Sequence, residues 1–173
     1  MRQTERLLII PLSFGQLVKY IENNHSLEEE LGVLAAERLI SPELKEALEH
    51  ALLPGVAANE SNYFYFTLWT IILKSENRMV GDLCFMGLPN DNGEIEIGYG
   101  TYEDFRGNGY MTEAVGGMVG WAKTQPNIKK ITASTDKTNR ASYTVLQKNG
   151  FVKSGESDDL FHWVKELSGD SFS

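Results

Sequence analysis

Apolar and polar positions along the 173-residue chain change period several times, and each change marks an element. Arg6 to Leu12 is a nearly unbroken apolar run closed by Pro11 and Ser13, which predicts a strand. From Phe14 to about Asn23, Leu17, Tyr20 and Ile21 recur at helical spacing, and the pattern stays helical from Leu27 to Leu53. Within it, Ser41-Pro42-Glu43 reads as a cap, a proline at the first helical position and an acid in the first turn. This predicts a helix running to about Leu52 and ended by Pro54-Gly55.

Tyr63 to Lys74 is rich in aromatic and β-branched residues, and with Met79 to Met86 beyond a polar break, Ser75 to Arg78, it predicts a hairpin. Asp91-Asn92-Gly93 signals another turn, leading into a strand from Glu94 to Tyr102. Met111, Val115, Met118, Val119 and Ala122 then predict a helix, and Ile128 to Thr135 a strand parallel to the one before it. A short helix, Asn139 to Asn149, stops at Gly150, and Phe151 to Lys165 reads as a closing hairpin around Ser157-Asp158-Asp159. The order predicts one α/β (α+β) domain over residues 1–167, with a frayed polar tail at 168–173. Its central sheet is mixed and mostly antiparallel, with about six to seven strands flanked by helices.

A formal charge of −8 disfavours nucleic-acid and anionic-membrane partners, which need a basic surface, and suits a cationic acceptor such as an amine. The apolar stretch Leu7 to Ile10 is too short for a signal or a membrane span, so a cytoplasmic setting is expected. Cys84 is the only cysteine, which rules out an internal disulfide, and its apolar neighbours read as core packing. His25, His50 and His162 show no metal-ligand spacing, and no metal is expected.

The chemistry concentrates at Arg106-Gly107-Asn108-Gly109-Tyr110, between a strand and a helix. Two glycines within three residues let successive backbone N–H groups and the helix start face one phosphate. The run Glu96-Ile97-Gly98-Tyr99, the run Phe105 to Ala114, Asn139-Arg140-Ala141-Ser142 and Lys148-Asn149-Gly150-Phe151 together resemble the GNAT family of N-acetyltransferases. Within that family the chain looks most like the ribosomal-protein alanine N-acetyltransferases, with the strong match over residues 79 to 153. It departs from the pattern at Met111, where a small residue is common, and at Leu146, where many relatives carry a tyrosine as general acid.

The resemblance implies an acetyl-CoA-dependent transfer to a primary amine, either a protein N-terminal α-amine or a small molecule. The alternative is an acyl-CoA-binding or partner-binding module of the same fold without turnover. It implies that the pantetheine arm lies along Tyr99, Gly100 and Thr101, where this strand splays from the next, with Asn139 touching the arm. The pyrophosphate would sit on the backbone from Gly107 through Asn108, Gly109, Tyr110, Met111 and Thr112, assisted by Arg106. The acceptor wall would come from about Glu22 to Asn62. There the triplet Glu28-Glu29-Glu30 reads as a solvated helix terminus or, less simply, as a lure for a cationic acceptor.

Amine acetylation needs a proton acceptor for the amine and a proton for the departing thiolate. Glu96, alternating with Ile95 and Ile97, is a candidate base or acceptor anchor, against the plain reading of a solvated strand face. Ser142 and Tyr143 lie one helical turn from Asn139 and are the candidate thiolate partners, Ser142 first because the Tyr143 ring also suits the core. A monomer or homodimer is expected.

Overall fold

A computed structural model describes residues 1–167. Eight strands form a single sheet in the order β1-β2-β3-β4-β5-β6-β8-β7. They are β1 (Arg2–Gln3), β2 (Leu7–Pro11), β3 (Leu68–Leu73), β4 (Arg78–Phe85), β5 (Glu94–Thr101), β6 (Lys130–Asp136), β7 (Val152–Glu156) and β8 (Leu160–Glu166). The strand beyond the expected six or seven is β1, a two-residue piece that pairs Arg2 with Ile9 and Gln3 with Leu8. It is too short and too polar to carry a periodic signal.

All neighbours pair antiparallel except β5 and β6. Their parallel ladder has three rungs, Glu94 with Lys130, Ile95 with Ile131 and Glu96 with Thr132, and then the strands part. On its other side β5 stays paired with β4 from Ile97 to Thr101.

One face of the sheet is covered by α5 (Tyr110–Lys123) and α6 (Arg140–Lys148), over a core that includes Ile95, Ile97, Val115, Met118 and Ile131. Trp121 packs there between Phe64, Tyr65, Trp69 and Phe85. The other face carries α1 (Phe14–Glu22), α2 (Ser26–Leu31), α3 (Pro42–Ala47) and α4 (Leu53–Ala58), over Leu17, Tyr20, Leu27, Leu48, Leu68 and Ile72. Ser13 caps α1 in a reciprocal capping box with Gln16.

Three local expectations are corrected. The helical reading from Leu27 to Leu53 is interrupted because Gly32, in the left-handed region at φ 70°, ends α2, and the chain is irregular until Ser41 caps α3. Pro54-Gly55 does not end the later helix, which continues through α4 to Ala58. A π turn over Leu48–Leu52, in which the Leu53 N–H reaches the Leu48 carbonyl, re-spaces the backbone just ahead of the proline that lacks a donor. Tyr63 to Phe66 lies outside β3, because a 3-10 turn over Glu60–Tyr65 turns these aromatics onto the core, where the Phe64 carbonyl accepts from Trp69 Nε1 at 2.8 Å.

The irregular stretch is held by charge. Arg38 is buried at 3% exposure, with Nη1 2.7 Å from Glu28 Oε1, Nη2 3.2 Å from the Tyr20 carbonyl, and its guanidinium 4.5 Å from the centre of the Tyr20 ring. Glu28 is therefore a buried structural anion at 1% exposure rather than part of a solvated helix terminus. Burial pushes its pKa up, but hydrogen bonds from His25 and Arg38 outweigh this and leave it below the usual range. Replacing Arg38 by Met strips that carboxylate of its buried guanidinium partner and leaves it the His25 ring at 2.9 Å. The expected loss is about 3–5 kcal/mol of unfolding free energy in urea titration, and a loss under about 1 kcal/mol would show that the pair is dispensable.

Candidate active site

Two clefts meet along the end of β5, one on each side of its backbone, and they share Tyr99, Gly100 and Thr101. The first, about 370 Å³, runs from Phe105 through Thr112 and is closed by Asn139, Ala141, Ser142 and Val145 of the α6 region. It brings together all the residues expected to contact the cofactor: Tyr99, Gly100, Thr101, Arg106, Gly107, Asn108, Gly109, Tyr110, Met111, Thr112 and Asn139. Gly107 and Gly109 sit at φ 79° and 76°, where a Cβ is disfavoured, and Gly109 is the residue from which the 14-residue α5 starts. The Asn108 side chain folds onto the Phe105 and Arg106 carbonyls, leaving backbone N–H groups at the front of the helix.

A residue far away in sequence braces the glycine turn. Arg6, just before β2, donates Nη1 to the Asn108 carbonyl at 3.1 Å and lies 4.8 Å over the Tyr110 ring. Its Nε holds Glu113 Oε1 at 2.6 Å, while its own backbone N–H and the Thr4 hydroxyl hold Oε2. The acid in the first turn of α5 is thus occupied by Arg6 and Thr4. Burial alone would raise the Glu113 pKa, but these contacts lower it. No periodic pattern flags Arg6, because it acts across 107 residues of sequence.

Ser142 lines the first cleft. Its backbone N–H is capped by Asn139 Oδ1 at 3.1 Å, its carbonyl accepts from the Tyr99 phenol at 2.8 Å, and its hydroxyl lies 3.4 Å from that phenol. Burial raises the Tyr99 pKa, keeping the phenol protonated at neutral pH. The Tyr143 ring instead stacks on Trp163, meets Phe161 edge-on and lies outside the cleft lining. Leu146, where the resemblance leads one to look for a tyrosine, is fully buried in the core. Glu96 is exposed on β5 at the last parallel rung, outside both cleft linings.

The second cleft, also about 370 Å³, lies on the α1–α4 face and is lined by Tyr20, Leu39, Leu44, Asp82, Cys84, Met86, Gly98 and Tyr102 among others. At its base Asp82 Oδ2 accepts from the phenols of Tyr20 at 2.5 Å and Tyr102 at 2.9 Å. Burial raises the Asp82 pKa and the two phenols and Arg38 oppose it, leaving it pushed up to about 6. Sequence reading overlooked Asp82, although a single acid within the apolar run Met79 to Met86 is a legible signal. Burial likewise pushes the Cys84 thiol up to about 11, so it stays neutral.

A family model described as Acetyltransferase (GNAT) domain matches residues 18–152. The chain belongs to this family of acyltransferases. It is 28% identical over 162 residues, 94% of this chain and 95% of the relative, to an uncharacterized N-acetyltransferase, YjdG, of Bacillus subtilis (strain 168). Its fold matches the ribosomal-protein-S5-alanine acetyltransferase of Vibrio fischeri with a TM-score of 0.70 at 18% identity, covering 99% of this chain and 97% of the other. It also matches the Vibrio cholerae spermidine N-acetyltransferase, solved with CoA and spermine, with a TM-score of 0.65 at 14% identity over 95% and 98% of the two chains. Among the described residues no helix is long and apolar enough to cross a membrane, and no group of three or more His, Cys, Asp or Glu is placed to hold a metal ion.

A buried carboxyl whose pKa is raised binds its proton more tightly folded than unfolded, so its destabilising contribution appears as pH climbs from about 4 past 6. The stability of Asp82→Asn minus that of wild type should therefore grow between pH 4 and pH 7, by on the order of 2–3 kcal/mol. A flat difference in urea titrations at the two pH values would show Asp82 ionising as an exposed acid does.

Proposed function

We propose that the protein is an acetyl-CoA-dependent N-acetyltransferase that moves an acetyl group directly to a primary amine, with both substrates bound together. The observation that carries this reading is the parting of β5 and β6 after Glu96, which leaves β5 unpaired on one side next to the two-glycine cradle. Acetyl-CoA supplies the acetyl group as a thioester. The backbone from Gly107 to Thr112 and the start of α5 hold its pyrophosphate, with Arg6 and Arg106 at the edges. The open side of β5 takes the pantetheine arm as a strand takes a partner, with Asn139 across the cleft.

Glu96 shares its strand face with Gly98 and Gly100, which flank the second cleft, and takes the amine proton through water. As the amine nitrogen bonds to the acyl carbon and the carbon–sulfur bond breaks, the bonded nitrogen sheds its excess proton to water and Ser142 relays a proton from that water to the sulfur, so that its own hydroxyl is restored. Tyr99 fixes the Ser142 carbonyl and so its position in the cleft. A serine hydroxyl is a weak acid, so its role is a modest one in rate. The acceptor enters on the α1–α4 face. The named relatives act on a ribosomal protein and on spermidine, so both a protein N-terminus and a small amine fall within reach of the fold.

Calorimetric titration of acetyl-CoA into the wild type and Gly109→Val tests the cradle. Micromolar binding is expected in the wild type and none in the variant, whose β-branched residue would sit at φ 76°. No binding in the wild type would end the acetyltransferase reading. Glu96→Gln and Ser142→Ala should each bind acetyl-CoA normally and lose turnover in a thiol-release assay, roughly 100-fold for Glu96 and less for Ser142. Unchanged turnover removes that residue from the mechanism, and acetyl-CoA binding without amine-dependent thiol release in the wild type would favour the binding-module alternative.

A further inference from the structure

On the α1–α4 face one acidic side chain is only half engaged. Asp82 is 8% exposed and lines the second cleft, yet both phenols bond to the same oxygen, Oδ2, and Oδ1 is buried without a partner. A buried carboxylate oxygen lacking a donor is costly, and a ligand that supplies one is stabilised in proportion. Arg38, the nearest guanidinium on that face, is committed to Glu28 and the Tyr20 carbonyl and stacks on the Tyr20 ring.

The space beside Asp82 is set by the β4–β5 register. Asp82 pairs directly with Gly100, and Cys84 with Gly98, and side chains of directly opposed residues leave the sheet on the same face. A Cβ at Gly98 would lie 3.9 Å from Cys84 Sγ, as that rule requires. A Cβ at Gly100 would meet nothing within 4 Å. An open slot therefore adjoins Asp82 where a β5 side chain would otherwise stand, and Gly100 also borders the cofactor cleft.

Around this slot the lining is apolar, from Leu39, Leu44, Leu68 and Met86, and among the described residues Asp82 is the only carboxylate in it. Leu39 and Met86 are 90% and 57% exposed, giving the mouth an apolar rim. The neutral Cys84 thiol adds no second charge.

We propose that Asp82 receives the acceptor's ammonium group, and that the acceptor is a primary amine carrying one positive charge on an apolar body. This rests on the acetyltransferase reading and deepens it. Within this cleft a single buried carboxylate matches a single ammonium, whereas the further charges of a polyamine would have to pass leucine and methionine to reach Glu37, Glu103 and Asp104 in the neighbouring cleft. The tyrosines orient the carboxylate, and Gly100 admits the ammonium next to the strand that separates the two clefts.

The test uses 2-phenylethylamine as the singly charged probe and spermidine as the multiply charged one, in thiol-release assays on wild type, Asp82→Asn and Gly100→Ala. Acetyl-CoA titrations run alongside. Asparagine can still accept both phenol hydrogen bonds while removing the charge, and the Gly100 variant leaves the polar network untouched. The expected result is a 2-phenylethylamine KM raised at least about tenfold in both variants, with the acetyl-CoA Kd of Asp82→Asn within about twofold of wild type. Wild type should also use 2-phenylethylamine with a higher kcat/KM than spermidine. An unchanged amine KM in the variants, a preference for spermidine, or no turnover of 2-phenylethylamine despite bound acetyl-CoA would each overturn the proposal. Failure of the wild type to bind acetyl-CoA is a different result, and it would overturn the acetyltransferase reading beneath it.

Discussion

Three rungs of parallel pairing, and no more, are the constraint on which the site depends. A parallel ladder satisfies the backbone of both strands, and continuing it past Glu96 would leave β5 nothing to offer a ligand. Ending it there is tolerable because β4 still pairs with β5 through Thr101, and β8 pairs with β6 through Asp136. The strands on either side keep the sheet whole while its middle opens. The glycine turn and α5 follow directly from the free end of β5, so backbone donors for a phosphate and an open strand edge occur within about a dozen residues of each other.

The opposite face is organised by buried polar groups. Tyr20 contributes its carbonyl to Arg38, its ring to the same guanidinium and its hydroxyl to Asp82. One residue on α1 thereby ties the irregular stretch after α2 to β4. Such networks are stabilising when every member is satisfied and costly when one is missing, which makes the geometry of this face nearly all-or-none. Arg38 Nε and Asp82 Oδ1 are the exceptions, both buried and unpartnered, and both belong to this network.

The sequence made much of this legible. The order of elements, the parallel pair, the cradle and Asn139 all follow from local patterns: period-two and helical spacing, paired glycines, a cap residue before a short helix. What stayed hidden acts at long range or against local preference. Arg6 reaches Glu113 and Asn108 from the start of β2, and no spacing rule links them. Glu28 looks like part of an acidic, solvated helix end until Arg38 folds back over it. The helix that passes Pro54 depends on a π turn that composition does not encode, and β1 is two residues long. Tyr143 shows the limit of face-sharing arguments, since Ser142 and Tyr143 are adjacent on α6 yet one lines the cleft and the other packs on Trp163.

The wall between the two clefts is the backbone of β5, thinned to glycine at Gly98 and Gly100. The linings of the two clefts therefore come largely from separate stretches of the chain, and among the described residues they share only Tyr99, Gly100 and Thr101. Substitutions on α1, on α3 and in the irregular stretch before it can reshape the second cleft while the glycine turn is left alone. A protein built this way can change the shape of one cleft without disturbing the other, and the stretch between Glu22 and Asn62 is where such drift would accumulate.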